Sequence, residues 1–277
     1  ALAALDAALA QAGAARGDLA AVGAGLPGVV RRADGRVLWS PILNARDVAL
    51  GPALARRVGA PVLVDNDANL LTLAEQWFGA GRALTDFAVV TIERGVGMGL
   101  VLDGRVYRGA TGLGMEFGHT KVQLDGALCR CGQRGCLEAY IADYALVREA
   151  STALDWENRG EGTGRSLLDL LYAEAQAGDE AALTIFRRAG RYLAIGLANI
   201  ANLFDPPLIV LAGERMRHDM LYAREVFADM EHLILNIGRA PPRVEVHAWG
   251  DLIWARGAAA LALDVATDAA FEPEAGA

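Results

Sequence analysis

The sequence predicts an α/β fold of two lobes, on three observations: short apolar strands alternate with long helical periods, several strands run straight into Gly- or Asp-bearing turns, and the chain is long enough for two cores. Residues 1–15 read as an Ala-rich amphipathic helix. Leu19 to Val22 starts a strand that runs into a turn, Gly23-Ala24-Gly25-Leu26-Pro27-Gly28, and Asp34-Gly35 is a hairpin signal because a two-residue turn needs positive φ. Leu50 to Val58 has helical periodicity, and Pro61 to Val64 is a short apolar strand. Asp65-Asn66-Asp67-Ala68-Asn69 follows, then an apolar-periodic helix to Phe78, closed by Gly79. The acidic group therefore sits where a strand hands over to a helix N-terminus.

Phe87 to Ile92 and Met98 to Leu102 read as strands, and Asp103-Gly104 before Arg105-Val106-Tyr107 repeats the hairpin signal. A helix covers about 142–150, and Thr152 to Arg165, polar with no period, reads as a surface loop. Two long helices are expected at Ser166–Ala177 and Glu180–Leu203, a buried strand at Pro207–Leu211, a helix at 219–236, a strand at Val244–His247 and an Ala-rich helix at Leu252–Val265. The domain reading is a first lobe over 1–115, N-terminally incomplete, and a second over 116–250. Residues 251–277 form a C-terminal helix returning toward the first lobe, with a frayed acidic tail.

Composition narrows the function. The chain is 53% hydrophobic and 22% charged, which excludes a disordered tail. Its longest uncharged apolar run of helical character, Tyr192 to Phe204, is too short to span a bilayer, and Ala1 opens no signal-like segment. A net charge of −8, with no basic run longer than two residues, excludes a DNA-gripping surface on this chain. All but one of the 26 basic residues are Arg.

The three cysteines lie within eight positions, which is metal-ligand spacing and fits a reducing cytoplasm. His119, Cys129, Cys131 and Cys136 form H-x9-C-x-C-x4-C, four N and S ligands that suit one tetrahedral zinc ion on turns made by Gly132 and Gly135. The competing reading is three buried reduced thiols beside an unrelated His. With all four positions filled the zinc is structural, and it orients His119, whose second ring nitrogen can meet a ligand. Glu116 and Glu138 flank this cluster. Together with Asn66 and Asp67 they make an acceptor-rich set suited to the hydroxyls of a polyol. For Asp67, helix N-capping is an equally good use of the residue.

EFGHT (116–120), LCRCGQRGCLEAY (128–140), AGLPGVV (24–30), DNDAN (65–69) and RGAAALAL (256–263) together resemble the ROK family of bacterial sugar kinases and sugar-responsive transcriptional repressors. The resemblance implies an actin-like (ribonuclease H-like) two-lobed ATPase fold with a sugar cleft between the lobes. It places a sugar or sugar phosphate on Asn66, Asp67, Glu116, His119 and Glu138, and zinc on His119, Cys129, Cys131 and Cys136. In the kinases the aspartate at Asp67 is the general base toward Mg-ATP; in the repressors the same pocket binds a sugar. A homodimer or dimer of dimers is also implied.

Two departures from the kinases favour the regulator. Where they carry Gly-Thr-Gly, this chain has Glu93-Arg94-Gly95, whose acid opposes a phosphate while the adjacent Arg94 can offset that charge. Where they have a Gly-rich adenosine-side turn, it reads Leu211-Ala212-Gly213-Glu214-Arg215. No D-x-G-x-T phosphate hairpin is found, and the chain begins with a helix that in the family follows the first strands. The expectation is thus the sugar-sensing effector part of a ROK-type regulator, with DNA bound only through a helix-turn-helix preceding Ala1. An ATP-dependent sugar kinase of glucokinase or N-acetylhexosamine kinase type is the alternative.

Overall fold

The structure is a computed structural model that describes residues 2–154, 166–213, 224–248, 250 and 252–271, the last four in backbone only. Two compact units emerge. The first takes residues up to Thr85, Gly99–Gly114 and the segment from Asp251 onward; the second takes Asp86–Met98 and Met115–Gly250.

In the first unit α1 (Leu2–Ala12) precedes β1 (Val22–Leu26), β2 (Val29–Arg31), β3 (Arg36–Trp39), α2 (Leu50–Val58), β4 (Val62–Asn66) and α3 (Asp67–Phe78). β1 and β4 pair in parallel, from Val22 opposite Val62 to Leu26 opposite Asn66. Gly23-Ala24-Gly25 is therefore strand, not the expected turn. The small residues are there for packing: a Cβ on Gly23 would strike the backbone of Ala258, and one on Gly25 the side chain of Leu70. The Asp34-Gly35 hairpin forms between β2 and β3, but its loop is wider than two residues, a 3-10 turn over Arg32–Asp34 closed by Gly35 at φ 64°.

Leu26, Val30, Val37 and Val64 make one small core, with Leu43, Leu50 and Val62 packed against it. Helix α3 buries Leu70, Leu71 and Leu73, each worth roughly 1.5–3 kcal/mol when removed from water.

The second unit opens on β5 (Phe87–Ile92), buried along its whole length as a strand covered on both faces must be. β6 (Val96–Leu102) begins in this unit and ends in the first, where it turns through Asp103 and Gly104, both at positive φ, into β7 (Arg105–Tyr107). After the segment that carries the cysteines come α4 (Glu138–Ile141), α5 (Asp143–Ala153), α6 (Leu167–Gln176), α7 (Glu180–Phe204), β8 (Leu208–Ala212), α8 (Arg224–Leu233) and β9 (Arg243–His247). The sheet order is β7-β6-β5-β8-β9, with β5, β8 and β9 parallel.

α5 runs through Ala153, so the start of the expected 152–165 loop is helix; 155–165 lie outside the described residues. So do Glu214 and Arg215, the start of the expected 219–236 helix and the acidic tail from 272. Among the described residues no helix is long and apolar enough to cross a membrane. The final helix, α9 (Ile253–Phe271), lies on α3 and β1 of the first unit. Gly257 permits this, since a Cβ there would collide with the carbonyl of Leu70.

Candidate functional site

The segment after Met115 is anchored by buried Phe117 and Leu137 and is otherwise shaped by turns. A 3-10 turn over Phe117–His119 places the imidazole, and short bridges pair Lys121 with Cys136 and Leu128 with Arg134. Cys129 donates its backbone N–H to Gln133 O at 2.8 Å, and Gly132 returns one to Cys129 O at 3.0 Å. Gly135, at φ 75°, stands where a side chain would meet the carbonyl of Gln123.

These turns converge the four predicted ligands. One ligand atom from each of His119, Cys129, Cys131 and Cys136 falls within 4.8 Å of all the others. Cys131 Sγ is 3.7 Å from Cys136 Sγ, and Cys129 Sγ is 3.7 Å from His119 Nδ1. A tetrahedral zinc ion with bonds of about 2.0–2.3 Å sets its ligand atoms roughly 3.5–3.8 Å apart, so the cluster fits a metal ion. Cys129 and Cys136 are buried and Cys131 exposed.

Without a metal the thiols are unequal. Burial pushes Cys129 up to about 11, with the charge of Glu138 adding to it. Cys131 is held below the ordinary thiol value: slight burial pushes it up, but the Gln133 backbone N–H, hydrogen bonding with Cys129 and Cys136, and the charge of Lys121 outweigh that. Lys121 Nζ donates to Cys136 Sγ at 3.0 Å.

The imidazole turns Nδ1 to the sulfurs and Nε2 outward, 3.9 Å from Glu116 Oε2. The Glu116 carboxyl sits above its ordinary value, chiefly through desolvation, with Glu138 raising it and His119 lowering it. Its side chain is 52% exposed, so water screens much of that effect. Glu138 is more committed than the sequence suggests. Its Oε2 accepts the Val96 backbone N–H at 3.2 Å, and its Oε1 lies 3.4 Å from Tyr144 Oη and 3.6 Å from Cys129 Sγ. Burial and the bond to Cys129 raise the Tyr144 phenol above its usual value, and Arg130 lies over its ring.

Asn66 and Asp67 stand at the β4–α3 junction of the first unit. The N-cap is Asn66, not Asp67: Asn66 Oδ1 accepts the Asn69 backbone N–H at 2.8 Å, leaving its amide nitrogen as what it can offer a ligand. Asp67 is the first helical residue, with Oδ1 on the Ala68 N–H at 3.0 Å.

Beneath them lies Asp65, 1% exposed, a residue the sequence reading passed over. Its Oδ1 accepts from Asn66 N and Asn69 Nδ2, and its Oδ2 from Arg108 Nε at 2.8 Å. Arg108 Nη2 is as close, at 2.7 Å, but is poorly aligned for a hydrogen bond, so Nε carries the directed contact. The structure thus groups Glu116, His119, Glu138 and the cysteines in one unit, and sets Asn66 and Asp67 on a buried ion pair in the other.

A glucokinase of Halalkalibacterium halodurans is 33% identical over 209 residues, 72% of this chain and 62% of that protein. A xylose repressor of Bacillus subtilis is 31% identical over 193 residues, 70% of this chain and 48% of that protein. The chain therefore spans between about half and two thirds of the length of these relatives. The crystal structure of a ROK family glucokinase from Streptomyces griseus, in complex with glucose and AMPPNP, superposes with a TM-score of 0.77 at 35% identity, covering 94% of this chain and 86% of that one. The ROK family model matches residues 1–265, and the chain belongs to the ROK family, with its α/β, actin-like ATPase fold.

Proposed function

We propose that this chain is the sugar-sensing part of a ROK-type transcriptional regulator, controlling DNA binding by a separate helix-turn-helix. The sugar or sugar phosphate is held by Asn66, Asp67, Glu116, His119 and Glu138. Asn66 gives an N–H to a hydroxyl oxygen, the three carboxylates accept hydrogen bonds from hydroxyl groups, and His119 Nε2 completes the set. Zinc on His119, Cys129, Cys131 and Cys136 supplies a fixed point for the imidazole, and Glu138 ties the metal loop to the turn before β6. Such a ligand biases DNA affinity only through unequal affinity for two states of the protein.

The observation that carries the regulator reading is the place of Glu93. This acid follows β5, and its side chain lies against Gly213 at the end of the neighbouring strand β8, with a carboxylate oxygen 3.1 Å from where a Gly213 Cβ would stand. Parallel strand ends of this kind are where α/β folds take phosphates. A carboxylate there opposes a bound phosphate, to the extent that the neighbouring Arg94 does not offset it. The kinase reading is supported by the 35% identity to a glucokinase and by Asp67 standing as the potential base.

Calorimetry with hexoses, pentoses, amino sugars and their phosphates, with and without Mg-ATP, separates the two. One of these compounds is expected to bind without nucleotide, Asp67→Asn to weaken it by roughly 10- to 100-fold, and no sugar-dependent ADP to form. Sustained ADP release would hand the chain to the kinases.

A further inference from the structure

The chain contains 25 arginines and a single lysine, Lys121. That lysine spends its ammonium group on the metal loop. Nζ lies 3.0 Å from Cys136 Sγ, 2.6 Å from Gln133 Oε1 and 3.1 Å from His119 O. Three acceptors for three N–H bonds is a filled tripod, and each acceptor belongs to the loop: a sulfur ligand, the carbonyl of the imidazole ligand, and the side chain of the residue whose carbonyl takes the Cys129 N–H.

A guanidinium is planar and spreads its donors in a fan, so it does not converge on three points around one atom; a compact ammonium does. In a chain that otherwise uses Arg for every cationic role, geometry explains the exception at this position. Charge gives a second reason. Three thiolates, a neutral imidazole and a dication sum to −1, and Glu138, with an oxygen 3.6 Å from Cys129 Sγ, adds to the negative side. Lys121 brings the compensating charge to Cys136, the buried thiolate it touches.

We propose that Lys121 is a positioning residue of the metal centre, which holds Cys136 and His119 in ligating geometry and lowers the electron density on the Cys136 sulfur through an N–H···S hydrogen bond. It rests on the reading of the four-residue cluster as a zinc site. An outer partner of this kind sets metal affinity through the ligand it orients. Because Lys121 reaches the sulfur from the exposed surface, its effect belongs at the low end of such contributions.

The test compares wild type, Lys121→Arg and Lys121→Met. Zinc release into a chromophoric chelator is expected to be about tenfold faster in Lys121→Met, with Lys121→Arg between the two. In cobalt-substituted protein the thiolate-to-cobalt absorption band is expected to shift to longer wavelength in Lys121→Met, because a sulfur that has lost an N–H donor gives up its electrons more readily. A lysine that merely props the loop would lower the melting temperature and leave that band in place. Wild type that binds zinc and cobalt, with an unmoved band and unchanged release in Lys121→Met, overturns the role of Lys121 alone. Wild type that takes up neither metal overturns the metal centre and this role together.

Discussion

The β4–α3 junction and the loop from Phe117 to Glu138 both carry proposed ligand residues, and they hold them by different means. At the junction, Asn66 and Asp67 stand on a parallel strand pair, a helix whose apolar face is buried, and the Asp65–Arg108 ion pair. Their geometry comes with the folding of the first unit. The loop has turns, two isolated bridges, and two sulfurs, of Cys131 and Cys136, 3.7 Å apart. Phe117 and Leu137 are buried at its two ends, but Leu124 and Leu128 between them are exposed, so on the proposed reading metal ligation does there what a core does elsewhere. The junction is thus held by hydrophobic packing, whereas the loop, on the proposed reading, is held by the metal it binds.

The strongest way to break this contrast is to remove the metal. Structural zinc sites contribute on the order of 10 kcal/mol to the fold around them. Cys131→Ser, at an exposed position that accommodates the change, is expected to lose zinc, to open 117–138 to proteolysis, and to weaken sugar binding at least tenfold, while the cleavage pattern of 2–85 stays as in wild type. Equal protection of the loop with and without metal would erase the distinction.

The junction is attacked through Arg108. Arg108→Met leaves Asp65 charged and buried, and is expected to cost about 3 kcal/mol in chemical denaturation, with much of the loss recovered by adding Asp65→Asn. A cost near zero would mean that the sheet and helix alone hold Asn66. The smallest effect sharpens the picture at one atom. Asn66→Asp keeps an oxygen for the Asn69 N–H and the helix cap, so stability should hold, while Asn66→Ala loses about 1 kcal/mol. Both remove the amide donor, so both should weaken the sugar equally by calorimetry.

The regular elements were legible because their signals are local. Leu50–Val58 and Phe87–Ile92 occur as read, and Phe78 ends α3 before Gly79 as the periodicity implied. The cysteine cluster was equally legible, since four ligands within eighteen residues leave little freedom of partner. Gly23-Ala24-Gly25 misled because glycine is ambiguous between a turn and a strand pressed by a helix; the reason for it, Ala258, lies more than two hundred residues away. Asp65 and Arg108 were missed for the same cause, as their pairing depends on a hairpin returning to β4. Lys121 carried a readable signal, its singularity in composition, but without coordinates nothing tied that singularity to a thiolate.

The packing of Gly257 against Leu70 and of Gly23 against Ala258 bears on how the protein is made. During synthesis on the ribosome, β1 and α3 emerge early and must wait for residues 253–271 before their outer face is covered. The second unit is nearly continuous in sequence from Met115 to Gly250, so it can close while the first remains open. Until residues 253–271 are made, the face of β1 and α3 that this helix covers stays open to water.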